Sequence, residues 1–230
     1  RRVGEAHCAG ARISDCGAGR REHRKHHVLG APSDTTDEIA VLLHNKREQF
    51  IPVLTEKLVQ YLAQLGMPNA QFKLQLSQKE QYFVNGKDEV EFLFSANKGS
   101  DFGLLKKVAS GGEMSRIMLA VKAVLAQYSK LPTLIFDEID TGVSGEIANK
   151  MALIMEEMSA TMQVFSITHL PQIAAKGQHH YKVFKETIGN QTQSQIMRLT
   201  YEQRVQELAE MIAGKDLSEA SINHAKTLLN

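Results

Sequence analysis

"LPTLIFDEID", residues 131–140, decides the fold class of this chain. Thr133 to Phe136 reads as a short, continuous apolar run, which predicts a buried parallel strand rather than a half-exposed one. A helix is expected over about 145–158, followed by a second apolar strand in "QVFSITH", residues 163–169. Another short helix starts near Pro171, a residue suited to the first helical position. Strand, helix, strand, helix is the alternation of an α/β domain with a parallel sheet.

The two acids that end the run carry the chemistry. They place Asp137 and Glu138 at the carboxyl end of a buried strand, where open α/β sheets bind ligands. Adjacent carboxylates repel and lose hydration there unless a cation or a basic group offsets them. Mg²⁺ brought in by a nucleotide suits the position, because it takes few protein ligands and keeps its waters. In that reading Asp137 holds the ion and Glu138 orients and polarises an attacking water. The alternative is a solvated, helix-capping acid pair. Thr168 and His169 end the next strand, at the same sheet edge if the strands run parallel. There His169 could reach a terminal phosphate, or simply start a helix. "DTGVSG", residues 140–145, is a flexible loop carrying Asp140 and Ser144.

"KVASGGEMSR", residues 107–116, opens the helix expected over Glu113–Gln127. Ser110 can cap it and Glu113 can close a capping box. A helix N-terminus also offers unpaired N–H groups and partial positive charge, and Gly111 and Gly112 let an anion approach the backbone. One turn can do both. The helix is expected to bury Ile117, Ala120, Val121, Val124 and Leu125. No G-x-x-x-x-G-K-[ST] loop occurs: Gly86-Lys87-Asp88 and Gly214-Lys215-Asp216 lack the glycine spacing and the hydroxyl. Nothing in the chain would grip β- and γ-phosphates firmly, so it looks like part of an ATPase.

Upstream, Ile39, Leu43, Phe50, Leu54, Leu58, Tyr61 and Leu65 recur at helical spacing, and Pro52 is expected to kink or split that helix. "QFKLQLS" alternates Phe72, Leu74 and Leu76 against polar neighbours, and "DEVEFLFSA" alternates Val90, Phe92 and Phe94, so both read as strands. "VNGKDE" supplies an Asn-Gly hairpin turn between them. "HYKVFKE" and "SQIMRLT" read as a polar strand pair, and a helical stretch ends the chain.

Residues 1–33 are separate in character. They carry a balance of +4, against −3 for residues 34–230, so the body is a poor candidate for a broad nucleic-acid footprint. This segment reads as a disordered arm or an expression-derived leader. Cys8, Cys16, His23, His26 and His27 lack the short Cys spacing of a zinc knuckle. Two cysteines, no signal core and no membrane-length apolar run lead us to expect a cytoplasmic protein.

The series "SGGE", "LIFDEIDTGVSG" and "SITHLPQIAA" resembles the signature, Walker B, D-loop and switch-histidine motifs of ABC-type ATPases. The wording from about Phe72 onward is similar to the bacterial RecN family of SMC-like DNA repair proteins. The resemblance implies a P-loop NTPase of ABC/SMC type. Residues 67–230 would be the C-terminal lobe of its head, with a mostly parallel sheet and an antiparallel hairpin, and residues 34–66 the end of a coiled coil. It implies ATP and Mg²⁺, with two heads forming a homodimer around two ATP molecules, and DNA as the partner of the full-length protein. By position, Ser110, Gly111, Gly112 and Glu113 would form the signature turn, the first three meeting the γ-phosphate on the partner head. Asp137 would serve Mg²⁺, Glu138 the water, Asp140 the cross-dimer loop and His169 the γ-phosphate. The lobe bearing Walker A would be the missing partner, leaving this part nearly inert alone. Ala109 stands where the signature usually has leucine. A binding module without catalysis, or the lobe of another SMC-like or ABC ATPase, are the alternatives.

Overall fold

The computed structural model describes residues 34–230, apart from 100, 130, 144, 189, 190 and 215. Cys8, Cys16, His23, His26 and His27 lie outside that range.

Helix α1, Asp34–Gln64, runs unsplit through Pro52. It ends in a Schellman motif: Met67 N donates to Leu62 O (2.8 Å), Gly66 N to Ala63 O (3.2 Å), and Gly66 takes the left-handed conformation at φ 78°. Its last turns bury Leu58 and Leu62. Its outer half leaves Ile39 exposed, contrary to its helical phase, and Phe50 is part-exposed with its ring edge-on to Tyr128 at 5.5 Å.

That hairpin is β1 (Gln71–Phe83) and β2 (Gly86–Ser95), antiparallel, with a short β3 (Gly103–Leu104) at its side. Phe72 pairs with Phe94, their ring centroids 5.2 Å apart, and both are buried. Val90 and Phe92 share their face but are exposed. The body covers one end of the hairpin and α1 the other, so the middle is left bare. At the far end Asp88 is held by His44 Nδ1 and Arg47 Nη1, both at 2.7 Å. Arg47 also donates to the Asn85 carbonyl, and Tyr82 and Lys87 both bond Asp37.

After α2 (Leu105–Val108), helix α3 spans Gly111–Tyr128. Its buried arc runs through Ile117, Leu119, Ala120, Ala123 and Val124. Val121 lies at the margin of that arc, and Leu125, expected inside, sits one step past it at 48% exposure. The parallel pair expected from the sequence is β4 (Thr133–Asp137) and β5 (Gln163–Ile167), joined by α4 (Gly145–Ser159). Phe136 packs with α3 and α4 in the main core. The opposite face is bare: Ile135, Phe165 and Ile167 are 64%, 44% and 53% exposed. β4 is therefore half-buried rather than fully buried, because helices cover one face of a sheet only two strands wide.

Helix α5 (Pro171–Lys176) packs with α6 (Tyr201–Ala213) and α7 (Glu219–Leu229) in a second small core. Between α5 and α6 lies the antiparallel hairpin β6 (Tyr181–Ile188) and β7 (Gln191–Arg198). Among the described residues, no helix is long and apolar enough to cross a membrane.

Candidate functional site

Parallel pairing sets the site. Asp137 lies opposite Ile167, so Asp137, Glu138, Thr168 and His169 gather at one sheet edge. Glu138 N donates to Ile167 O at 3.0 Å, stitching the turn to the neighbouring strand. Its own carbonyl accepts from Thr141 N at 3.3 Å and Thr141 Oγ1 at 3.0 Å. Among the described residues Glu138 is the one non-glycine with positive φ, 47°. That region costs a side-chain-bearing residue about 1–2 kcal/mol. The bonds to Ile167 and Thr141 hold it there, with its side chain exposed to solvent.

Asp140 faces inward and is 1% exposed. Its Oδ2 accepts from Thr168 Oγ1, which in turn accepts from Leu170 N at 3.0 Å. His169 is well exposed, its Nδ1 3.9 Å from the same carboxylate oxygen. The Asp140 carboxylate thus ties the loop after β4 to the end of β5. The sequence places Asp140 in a flexible loop and carries no signal for this inward bond, since Thr168 lies 28 residues on.

The turn at Ser110 is a capping box. Ser110 Oγ accepts from Glu113 N at 3.4 Å, and Ser110 N donates to Glu113 Oε2 at 2.7 Å. The hydroxyl proton stays available to donate. The two glycines differ. A Cβ on Gly111 would meet open space, as the approach of an anion requires. A Cβ on Gly112 would lie 2.8 Å from the Gly142 carbonyl oxygen, a backbone contact that excludes any side chain. So one of the pair has a reason of its own: the turn packs directly on the loop that follows Glu138.

Asp137 offers one exposed carboxylate at this edge, and no group of three or more His, Cys, Asp or Glu suited to a metal occurs among the described residues. A single carboxylate fits Mg²⁺ that arrives with a phosphate-bearing ligand and keeps most of its waters.

The DNA repair protein RecN of Halalkalibacterium halodurans is 40% identical over 192 residues, which cover 82% of this chain and 34% of that protein. RecN of Deinococcus radiodurans is 40% identical over 84% of the chain, and RecN of Vibrio cholerae 38% identical over 81%. Over these residues the chain belongs to the RecN family. It spans about a third of the length of these RecN relatives. No protein-family model matches the chain. Among solved structures, the Smc head domain with a coiled coil and joint from Pyrococcus yayanosii aligns at TM-score 0.60 and 21% identity, covering 76% of this chain and 32% of that one. The Smc head domain from Pyrococcus furiosus, with an extended coiled coil, aligns at TM-score 0.56 and 21% identity, over 76% and 42%. The fold is therefore that of part of an Smc head domain.

Proposed function

We propose that this chain is the C-terminal lobe of an SMC-like ATPase head that acts in DNA double-strand-break repair. Residues 67–230 form the lobe and residues 34–66 the returning end of a coiled coil. The observation that carries the reading is the shared edge of β4 and β5, where Asp137, Glu138 and His169 come together.

ATP is the substrate, bound between two heads. The amides and hydroxyl of Ser110, Gly111 and Gly112, capped through Glu113, receive the γ-phosphate of a nucleotide held by the partner head. Asp137 would hold Mg²⁺, which offsets the charge that builds on the phosphates. Glu138 orients and polarises the attacking water, its left-handed backbone aiming the carboxylate off the strand end. His169 hydrogen-bonds the terminal phosphate, and Asp140 keeps the connecting loop in place for head-to-head contact. ATP bridges the heads and hydrolysis removes the bridge, so coiled coils that hold DNA in the full-length protein open and close with the nucleotide. The protein works in the bacterial cytoplasm at the nucleoid, and this lobe alone, lacking Walker A, turns over no ATP.

The bare face of Ile135, Phe165 and Ile167 supports docking of the Walker A lobe, an apolar surface that a complete head would cover. The test is to combine this chain with the N-terminal remainder of the protein and measure Mg²⁺-dependent ATP turnover and head dimerisation. Glu138→Gln is expected to lower turnover about 100-fold or more, as loss of a water-activating carboxylate does, while ATP-bound dimers accumulate. Turnover that survives Glu138→Gln sinks the enzymatic reading in favour of a binding module.

A further inference from the structure

A closed ring of contacts joins three elements behind the signature turn. Arg116 Nε donates to the Gly112 carbonyl at 3.0 Å, and its Nη1 donates to the Leu65 carbonyl at 3.3 Å. Leu65 ends α1, where carbonyls lack helical partners and the helix dipole is negative, so a guanidinium is well matched there. The next residue, Gly66, abuts α4: a Cβ built on it would lie 2.5 Å from Ile147 Cδ1 and 3.9 Å from Arg116 Nη1. Ile147 stands in the first turn of α4, directly after the loop that holds Gly142. Gly142 closes the ring through its carbonyl against Gly112.

Each joint in this ring is restrictive. Gly112 against Gly142 is backbone on backbone. Gly66 is fixed by its positive φ, and the Ile147 Cδ1 methyl packs against it. Arg116 spans two carbonyls with a rigid planar fork, which the single ammonium of a lysine cannot do.

We propose that Arg116 is a positioning residue that fastens three segments into one body: the turn Ser110–Gly112, the loop Asp140–Gly142 and the end of α1. The turn then meets its phosphate only in the register set by α1, and a shift of α1 carries the turn and the post-Glu138 loop together. The functional meaning rests on the ATPase reading above; the mechanical joint does not.

The experiment is amide hydrogen exchange on the nucleotide-free full-length protein containing this chain, with Arg116→Ala and Arg116→Lys. Three amides report on the three segments: Met67 (bonded to Leu62 O), Met114 (to Ser110 O) and Val143 (to Asp140 O). In Arg116→Ala all three are expected to exchange about 10-fold faster as a group, with β1–β2 unchanged and Arg116→Lys intermediate. The same substitution should raise KM for ATP about 10-fold with kcat kept within about 2-fold, since the turn is disordered rather than chemically altered. A rise confined to Met114, an equal rise across β1–β2 in both variants, or a fall in kcat at constant KM overturns the proposal. Exchange needs no nucleotide, so this joint can fail while Glu138→Gln still upholds the ATPase reading, and the reverse.

Discussion

Two aspartates in this chain are buried to the same degree and treated differently. Asp88, at the hairpin tip, has a side chain 1% exposed and uses both oxygens, one on His44 and one on Arg47. Asp140, at the parallel-sheet edge, is as deeply buried, yet only Oδ2 is bonded and Oδ1 has no partner among the described residues. Ser166 Oγ in β5 and Gln172 Oε1 in α5 are also buried and without a partner among the described residues, as are Thr55 Oγ1, His180 Nδ1 and Arg204 Nε elsewhere in the chain. A folded interior rarely leaves such atoms unmatched, because each costs about 1–3 kcal/mol. The hairpin end is complete by itself. The sheet edge has the character of a surface that something else finishes.

The largest effect that can break this contrast lies on the sheet's bare face. Ile135→Asp and Phe165→Asp should leave the fold of the chain within about 0.5 kcal/mol, as surface changes do, yet abolish its assembly with the N-terminal remainder. Co-purification of the two parts measures it, and unimpaired assembly would show that this face is not the junction. Next comes Asp88→Ala, expected to lower stability by roughly 2 kcal/mol in denaturant unfolding. The figure is below that for a fully buried pair because His44 and Arg47 reach solvent.

That bond also carries a pH signature. Burial alone pushes the Asp88 carboxyl up, but the hydrogen bonds from Arg47 and His44 outweigh it and hold the pKa below the ordinary carboxylate value. A depressed folded pKa means the contribution is present above the unfolded value and lost as pH falls through the folded one. Stability of the hairpin end should therefore decline only in acid below the usual Asp range, and Asp88→Ala should flatten that decline. The smallest effect is Glu138→Gly, which removes the left-handed penalty and should raise stability by about 1 kcal/mol while eliminating turnover. Equal or lower stability in that variant would mean the surrounding bonds, not the side chain, set the conformation.

Much of the parallel unit was readable because its signals are local. The apolar run ending in Asp137 and Glu138, the Ser110–Glu113 capping box and Pro171 at a helix start each lie within a few residues of one another. What escaped depends on distant partners. Arg116 looks like any surface helix residue until Leu65, 51 positions earlier, supplies its second acceptor. The Asp88 clamp draws on His44 and Arg47, more than 40 positions away, and no periodicity announces it. Burial was over-read for the same reason. Ile135, Phe92 and Ile39 fit apolar patterns, but a pattern records which face could be covered, not whether this stretch of chain contains the cover.

Pro52 gives α1 a mechanical character. With no N–H to donate, it interrupts the hydrogen-bond ladder midway between the end anchored in the core by Leu58 and Leu62 and the end held by the hairpin. A beam weakened at mid-span and fixed only at its root would bend there under load. Here Asp88, Tyr82 and Lys87 of the hairpin brace the outer half from the side through His44, Arg47 and Asp37, so the hairpin serves as a strut. Force applied at the far end of α1 is then delivered to the head along two routes, and cutting the strut should turn a stiff lever into a hinge.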